Sequence, residues 1–119
     1  MSRNLQATFL EIKPEVAYER FVKSFLDLFV IQLLGDGPGY GLRLMKNLER
    51  ETGIHVGPGT FYPLLYDMQE KGLVIGQWNY ETRRRRMLYT LTERGTEYHE
   101  LMFHGIESLM SVLSRRPSV

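Results

Sequence analysis

Cysteine is absent from this sequence, and with it go disulfides, thiolate metal sites and thiol nucleophiles. Histidine is scarce: only His55, His99 and His104 occur. His99 and His104 are five apart, a spacing that separates them around a helix axis. No nucleophile–base pattern stands out. The glycine-rich stretch 35–41 lacks both the lysine of a phosphate-binding loop and a strand before it. These absences predict no catalysis, no metal site and no cofactor. Net charge is small, with 15 basic residues against 14 acidic, so a charged partner must be inferred from where charge sits and not from its sum. Long apolar runs are missing as well. The most apolar stretch, Phe25 to Leu34, is interrupted by Asp27 and Gln32 and reaches about half of the roughly 20 residues that a membrane span needs. The N-terminus does not show the basic, apolar and small-residue order of a signal peptide. The expectation is a cytoplasmic protein with no membrane partner.

What is present suits one globular domain: 119 residues, 43% hydrophobic and 24% charged. Residues 1–13 read as an N-terminal arm or short helix, because Leu5, Phe9 and Ile12 have helical spacing. Pro14 fits a first helical turn and Glu15 its positive end. From Val16 to Leu34 the apolar residues cover more than one face, as in a single central helix buried on several sides. Glycines and Pro38 in 35–39 end it. Tyr40 to Thr52 carries Leu44, Met45 and Leu48 at helical spacing, with Arg43, Lys46, Glu49 and Arg50 mostly outside, and Gly53 closes the helix.

The segment Gly57 to Gly72 is the centre of the chain. Phe61, Leu64, Leu65 and Met68 recur at i, i+3, i+4 and i+7 and define one apolar helix face. Thr60, Tyr62, Tyr66 and Asp67 fall around the other side. Pro63 is expected near the first turn, where a missing N–H costs little, and Gly72 offers a left-handed cap. After Gly72 the period changes from 3.6 to 2. Leu73 to Asn79 and Met87 to Leu91 read as strands, and between them four consecutive arginines, Arg83 to Arg86, occupy the hairpin tip. Thr92 is an N-cap candidate for a last helix running to about Leu113.

Helix, turn, helix and hairpin in this order predict a winged helix-turn-helix. The fold class is mainly α with a small two-stranded β wing. Residues 14–91 form the DNA-binding domain, with a recognition helix at about 58–71 and the wing at about 73–91, and residues 92–119 form a C-terminal helix and short tail. That last helix carries Tyr98, Leu101, Met102, Leu109 and Leu113 on one stripe, with Ile106 and Met110 beside it. The stripe is wider than a small wing domain covers, which points to a second subunit.

The segments Gly37-Pro38-Gly39-Tyr40-Gly41-Leu42-Arg43-Leu44, Pro58-Gly59-Thr60-Phe61-Tyr62-Pro63-Leu64-Leu65, Glu70-Lys71-Gly72-Leu73-Val74 and Tyr89-Thr90-Leu91-Thr92-Glu93-Arg94-Gly95 resemble the PadR-type winged-helix transcriptional regulators over roughly residues 25–95. The resemblance implies a homodimeric DNA-binding repressor, often relieved by a small molecule. It also implies that the C-terminal helix packs on the partner's N-terminal helix, which adds Phe21 and Phe25 to the dimerisation set. Three departures stand out: Leu42 where an aromatic is usual, Met87 where a basic residue is usual, and an all-arginine wing tip. The single C-terminal helix matches the family's shorter members.

The residues then divide by role. Arg83, Arg84, Arg85 and Arg86 suit phosphate, supplying affinity and orientation. Thr60 suits a base edge or thymine methyl. Tyr62 and Tyr66 suit phosphate through their hydroxyls, although Tyr62 equally suits packing on the preceding helix, and Pro63 shares their motif. Arg43 and Lys46 either hold the DNA backbone or are plain surface charge. Trp78 is expected to pack under the wing; the other reading is a pocket near the dimer axis for a small hydrophobic or aromatic effector. Double-stranded DNA and a second copy of the chain are the expected partners. The rival functions are a sequence-independent architectural DNA binder and a winged helix that binds protein.

Overall fold

A computed structural model describes residues 13–81 and 85–115. Two helices come first, α1 (Pro14–Ser24) and α2 (Leu26–Gly35), followed by a two-residue strand β1 (Gly39–Tyr40) and α3 (Gly41–Thr52). Helix α4 (Pro58–Glu70), strands β2 (Val74–Asn79) and β3 (Arg86–Leu91) and helix α5 (Glu93–Leu113) complete the chain. Helix-turn-helix and wing are thus in place, while the arm expected over 1–13 lies outside the described residues except for Lys13.

One expectation needs correction, and the sheet gains one strand beyond the expected wing. The single helix expected from Val16 to Leu34 is broken at Phe25, which sits at φ −125° and ψ 27°. Just before the break the Ser24 hydroxyl donates back to the Arg20 carbonyl at 2.9 Å, a bond that often accompanies a helix bend. The sheet also has three strands, ordered β1-β3-β2, all antiparallel. The wing itself is the two-stranded β2–β3 ribbon, with Asn79 opposite Arg86. Strand β1 adds Gly39 opposite Tyr89 and Tyr40 opposite Leu88.

The core gathers one face from each element. Val30, Ile31 and Leu34 of α2, Leu44 and Leu48 of α3, and Phe61, Leu65 and Met68 of α4 are buried together with Val74 and Tyr89 of the sheet. The apolar face read at 61, 65 and 68 is therefore the inner face of α4. Thr52 is the buried polar residue of this core, and its hydroxyl is satisfied by donating to the Leu48 carbonyl and accepting from the Ile54 N–H. Helix α3 ends at Gly53, whose φ of 75° is the left-handed region that glycine enters without Cβ strain.

Helix α4 ends in a Schellman turn: the Leu73 N–H reaches the Met68 carbonyl, the Gly72 N–H reaches that of Gln69, and Gly72 has φ 74°. The Leu73 carbonyl next accepts from the Thr92 N–H at 3.2 Å and lies 3.0 Å from the Thr92 hydroxyl, which also donates to the Gly72 carbonyl at 2.6 Å. The same hydroxyl oxygen caps α5 by accepting from the Gly95 N–H. Gly95 is buried against this knot. A Cβ there would collide with the Leu73 carbonyl oxygen and come within 2.6 Å of a Leu91 methyl.

Helix α5 is fixed a turn further on. The Tyr98 hydroxyl donates to Asp27 Oδ2 of α2 at 2.6 Å. This bond, assisted by burial and by the charges of Asp27 and Asp67, pushes the Tyr98 pKa up to about 12. Beyond it α5 runs on with large apolar side chains in solvent, Leu101 73% and Leu113 69% exposed. No described helix is long and apolar enough to cross a membrane.

Gly95→Ala is expected to lower unfolding free energy by about 1–3 kcal/mol. Gly35→Ala, at the end of α2 with nothing within 4 Å of its added methyl, is expected within about 0.5 kcal/mol of the parent or above it. Denaturant titration of the two variants checks the contrast. Tyr98→Phe is expected to cost about 1–3 kcal/mol near neutral pH. Because the folded pKa of Tyr98 is raised, the unfolded chain binds fewer protons once pH passes about 10, the ordinary tyrosine value, and stability then falls with pH. The parent therefore loses this contribution between about pH 10 and 12, and the gap to Tyr98→Phe narrows over the same window in a pH series of unfolding curves.

Candidate nucleic-acid interface

The turn after α3 brings α4 against it, and β1 draws the wing alongside both. Between them lies an open cleft of about 540 Å³. Helix α3 contributes Arg43, Lys46, Asn47 and Arg50, whose positions at i, i+3, i+4 and i+7 place them on one face. Helix α4 contributes Tyr62 and Tyr66, the sheet contributes Tyr40, Trp78, Arg86, Met87 and Tyr89, and Arg85 enters from just before β3. Five cations thus line one recess, with no carboxylate among the lining residues. Among the described residues none of the five forms an ion pair; the pairs present are Lys23–Glu19, His55–Glu49, Lys71–Asp67 and His104–Glu107.

Close packing positions the aromatic side chains. Gly41 is buried at the start of α3, and a Cβ there would meet the Tyr62 ring at 2.9 Å and the Tyr89 ring at 3.5 Å. Glycine is what lets α3 and α4 approach with those rings between them. Tyr62 is half-buried and stands edge-on to Phe61 at 5.8 Å, so it packs against its own chain while also lining the cleft. Burial, and then the neighbouring Tyr66 and Tyr62, push the Tyr89 pKa up.

Tyr40 holds the wing and one of its arginines. Asn79 Nδ2 donates to the Tyr40 hydroxyl at 2.7 Å, and the Arg86 guanidinium lies 5.5 Å from the Tyr40 ring centroid. Arg85 is placed likewise over Tyr80 at 5.7 Å. Such cation–π contacts orient a guanidinium while leaving its donors free to bond outward. Arg83 and Arg84 lie outside the described residues.

Thr60 and Pro63 are exposed on α4 but do not line the cleft. Helical geometry sets Thr60 roughly 120° around the axis from Tyr66, so the two sides of α4 are distinct. Pro63 is the sixth residue of α4 and not in its first turn as expected, so the Gly59 carbonyl lacks an intrahelical partner. Both residues face solvent, where water can satisfy that carbonyl. Asp67 is paired with Lys71 at 2.8 Å, and the bond raises the Lys71 pKa.

Trp78 does not pack under the wing. It is 52% exposed and forms part of the cleft wall. Sequence reasoning also missed Arg50, although its i+7 spacing from Arg43 was a usable signal, and it missed Tyr40 and Asn79, for which no periodic signal exists. Of the expected dimerisation residues, Phe21, Leu101, Leu109, Met110 and Leu113 are exposed, whereas Phe25, Tyr98, Met102 and Ile106 are partly covered by their own chain.

Comparison with known proteins adds an independent line. The family profile described as "Transcriptional regulator PadR-like family" matches residues 30–101. The transcriptional regulator Rv3488 of Mycobacterium tuberculosis is 29% identical over 75 residues, covering 63% of this chain and 69% of that protein. A solved transcriptional regulator from Clostridium thermocellum superimposes with a TM-score of 0.71 at 23% identity, covering 79% of this chain and 94% of its own. A PadR family transcription regulator from Clostridium difficile gives a TM-score of 0.65 at 25% identity over 75% and 94% of the two chains.

Proposed function

The chain belongs to the PadR-like family of transcriptional regulators, and from that membership we propose a homodimeric repressor, cytoplasmic because its target is DNA. It is a DNA-binding transcription regulator and not an enzyme. In this proposal the N-terminal part of α4 enters the major groove and the arginine-rich wing rests on flanking backbone. The observation that carries it is the basic face, where three cations of α3 and two of the wing line one recess beside α4 with no carboxylate among them.

Within that face, Arg43, Lys46, Arg85 and Arg86 hold phosphates, a role that Arg83 and Arg84 of the same sequence run share, and the Tyr62 and Tyr66 hydroxyls add neutral phosphate contacts. Thr60 is the base reader, exposed on the first turn of α4 beside Pro63. The Lys71 partner offsets the charge of Asp67, the carboxylate that follows Tyr66 on α4.

A second copy supplies what one chain leaves uncovered. Leu101, Leu109, Met110 and Leu113 of α5 and Phe21 of α1 are large apolar side chains in solvent, a combination that marks an interface. A two-fold dimer built on them sets its two α4 helices about one helical turn of DNA apart.

Binding to a duplex from the protein's own upstream region, compared with a scrambled duplex across a salt series, is expected to favour the specific site by at least about 10³-fold. Equal, steeply salt-dependent binding to both would replace the repressor with a sequence-independent architectural role. Thr60→Ala is expected to change the preferred base at one position, a discrimination of about 1–3 kcal/mol. Arg85→Ala is expected to weaken all duplexes alike and to reduce the salt slope by close to one unit. Leu109→Glu is expected to convert the dimer to a monomer in sedimentation equilibrium, while the far-ultraviolet spectrum of the domain is retained.

A further inference from the structure

The cleft has chemistry that a duplex resting on this face does not use. Arg43, Lys46 and Arg50 enter it from α3, and Arg85 and Arg86 enter it from the wing. Trp78, Tyr62 and Tyr66 add aromatic wall to the same recess. A regular duplex offers phosphates to the rim and keeps its bases stacked inside, so it leaves such a wall unoccupied. Base-like rings stacked on aromatic side chains, with phosphates on nearby cations, are instead the signature of a single nucleotide. The recess is also of the right size, since small-molecule pockets span roughly 300–1,000 Å³ and this one holds about 540 Å³.

We propose that this cleft binds a free nucleoside polyphosphate, with its base against Trp78 and its phosphates on the arginines of α3 and the wing. The charge count selects the class. An aromatic carboxylate brings one negative charge and leaves four of the five cations unmatched, whereas a nucleoside triphosphate brings several. Occupation of the cleft screens the cations that the proposed DNA contacts need, so the nucleotide competes with the operator. That competition rests on the DNA reading of the same face, but binding to the cleft does not. A nucleotide turned out of the DNA strand has the same chemistry, and titration without DNA separates the two sources.

Trp78 is the chain's one tryptophan, so its emission reports on the cleft alone. Titration of the full chain with ATP in the absence of DNA is expected to give a saturable change in that emission. Adenosine and tripolyphosphate are each expected to bind at least about tenfold more weakly, because each keeps only half of the interaction. Arg50→Ala, an exposed position outside the proposed DNA contacts, is expected to weaken ATP at least about tenfold. By calorimetry Trp78→Ala is expected to do the same.

No saturable change up to about 1 mM ATP would overturn the proposal. So would tripolyphosphate binding as tightly as ATP with no loss in Trp78→Ala, which would describe a generic anion sink. Single-stranded DNA changing the emission while ATP does not would assign the cleft to an unstacked base of the DNA strand and equally remove the free nucleotide. DNA binding is measured separately without ATP, so failure of one reading leaves the other intact.

Discussion

One carbonyl organises this molecule. Leu73 stands where α4 has just ended and the wing is about to begin, and its oxygen accepts from Thr92, where the wing has ended and α5 begins. Four segment ends therefore meet at one point, with the Thr92 hydroxyl bonded to Gly72, beside Leu73 and capping α5 through Gly95. Backbone groups at helix ends need partners, and here each end supplies another's. Because Gly95 has no side chain, α5 lies directly on the carbonyl. The direction of α5 relative to α4 is set there, and the Tyr98–Asp27 bond fixes its position against α2. In a dimer built on α5, the spacing of two recognition helices is inherited from these two contacts.

A comparable constraint places the wing. A two-stranded ribbon alone is marginal in water, and β1 adds only Gly39 and Tyr40. Yet Tyr40 bonds to Asn79 at the end of β2 and carries Arg86 of β3 on its ring, so one side chain holds both wing strands to the start of α3. Asn79 also accepts from the Glu81 N–H, which starts the hairpin turn. The wing arginines thus project from a fixed frame. Positioned charge produces a directional field even in a chain whose net charge is only +1.

How much of this the sequence disclosed depended on the length of each pattern. Helices α3, α4 and α5 and the β2–β3 ribbon each repeat an apolar period long enough to read. The break at Phe25 was hidden because apolar residues continue across it, and the Ser24 hydroxyl bond beside it leaves no trace in hydrophobicity. Strand β1 has two residues and no alternation at all. Trp78 is the most instructive miss. Alternation correctly groups it with Val74 and Gly76 on one face of β2, but Val74 is buried at the base of the strand and Trp78 is exposed toward its tip. Period gives the face of a strand, and only the third dimension gives how far the core extends along it.

The division of α4 into two sides bears on how affinity and choice are separated. Its inner face, Phe61, Leu65 and Met68, is fully committed to the core, so rotation of the helix about its axis is blocked by close packing. The side carrying Tyr62 and Tyr66 then faces cations, whereas the side carrying Thr60 faces neither cleft nor core. Pro63 lies between the two, and with no N–H it leaves the Gly59 carbonyl directed to solvent at the turn nearest the helix start. A groove entered from that end meets a slim, glycine- and proline-bordered tip first and the paired Asp67–Lys71 last. Bulk and negative charge are thereby kept to the far end of the helix. The order of residues along α4, and not the protein's overall charge, makes it suited to approach DNA by its N-terminus.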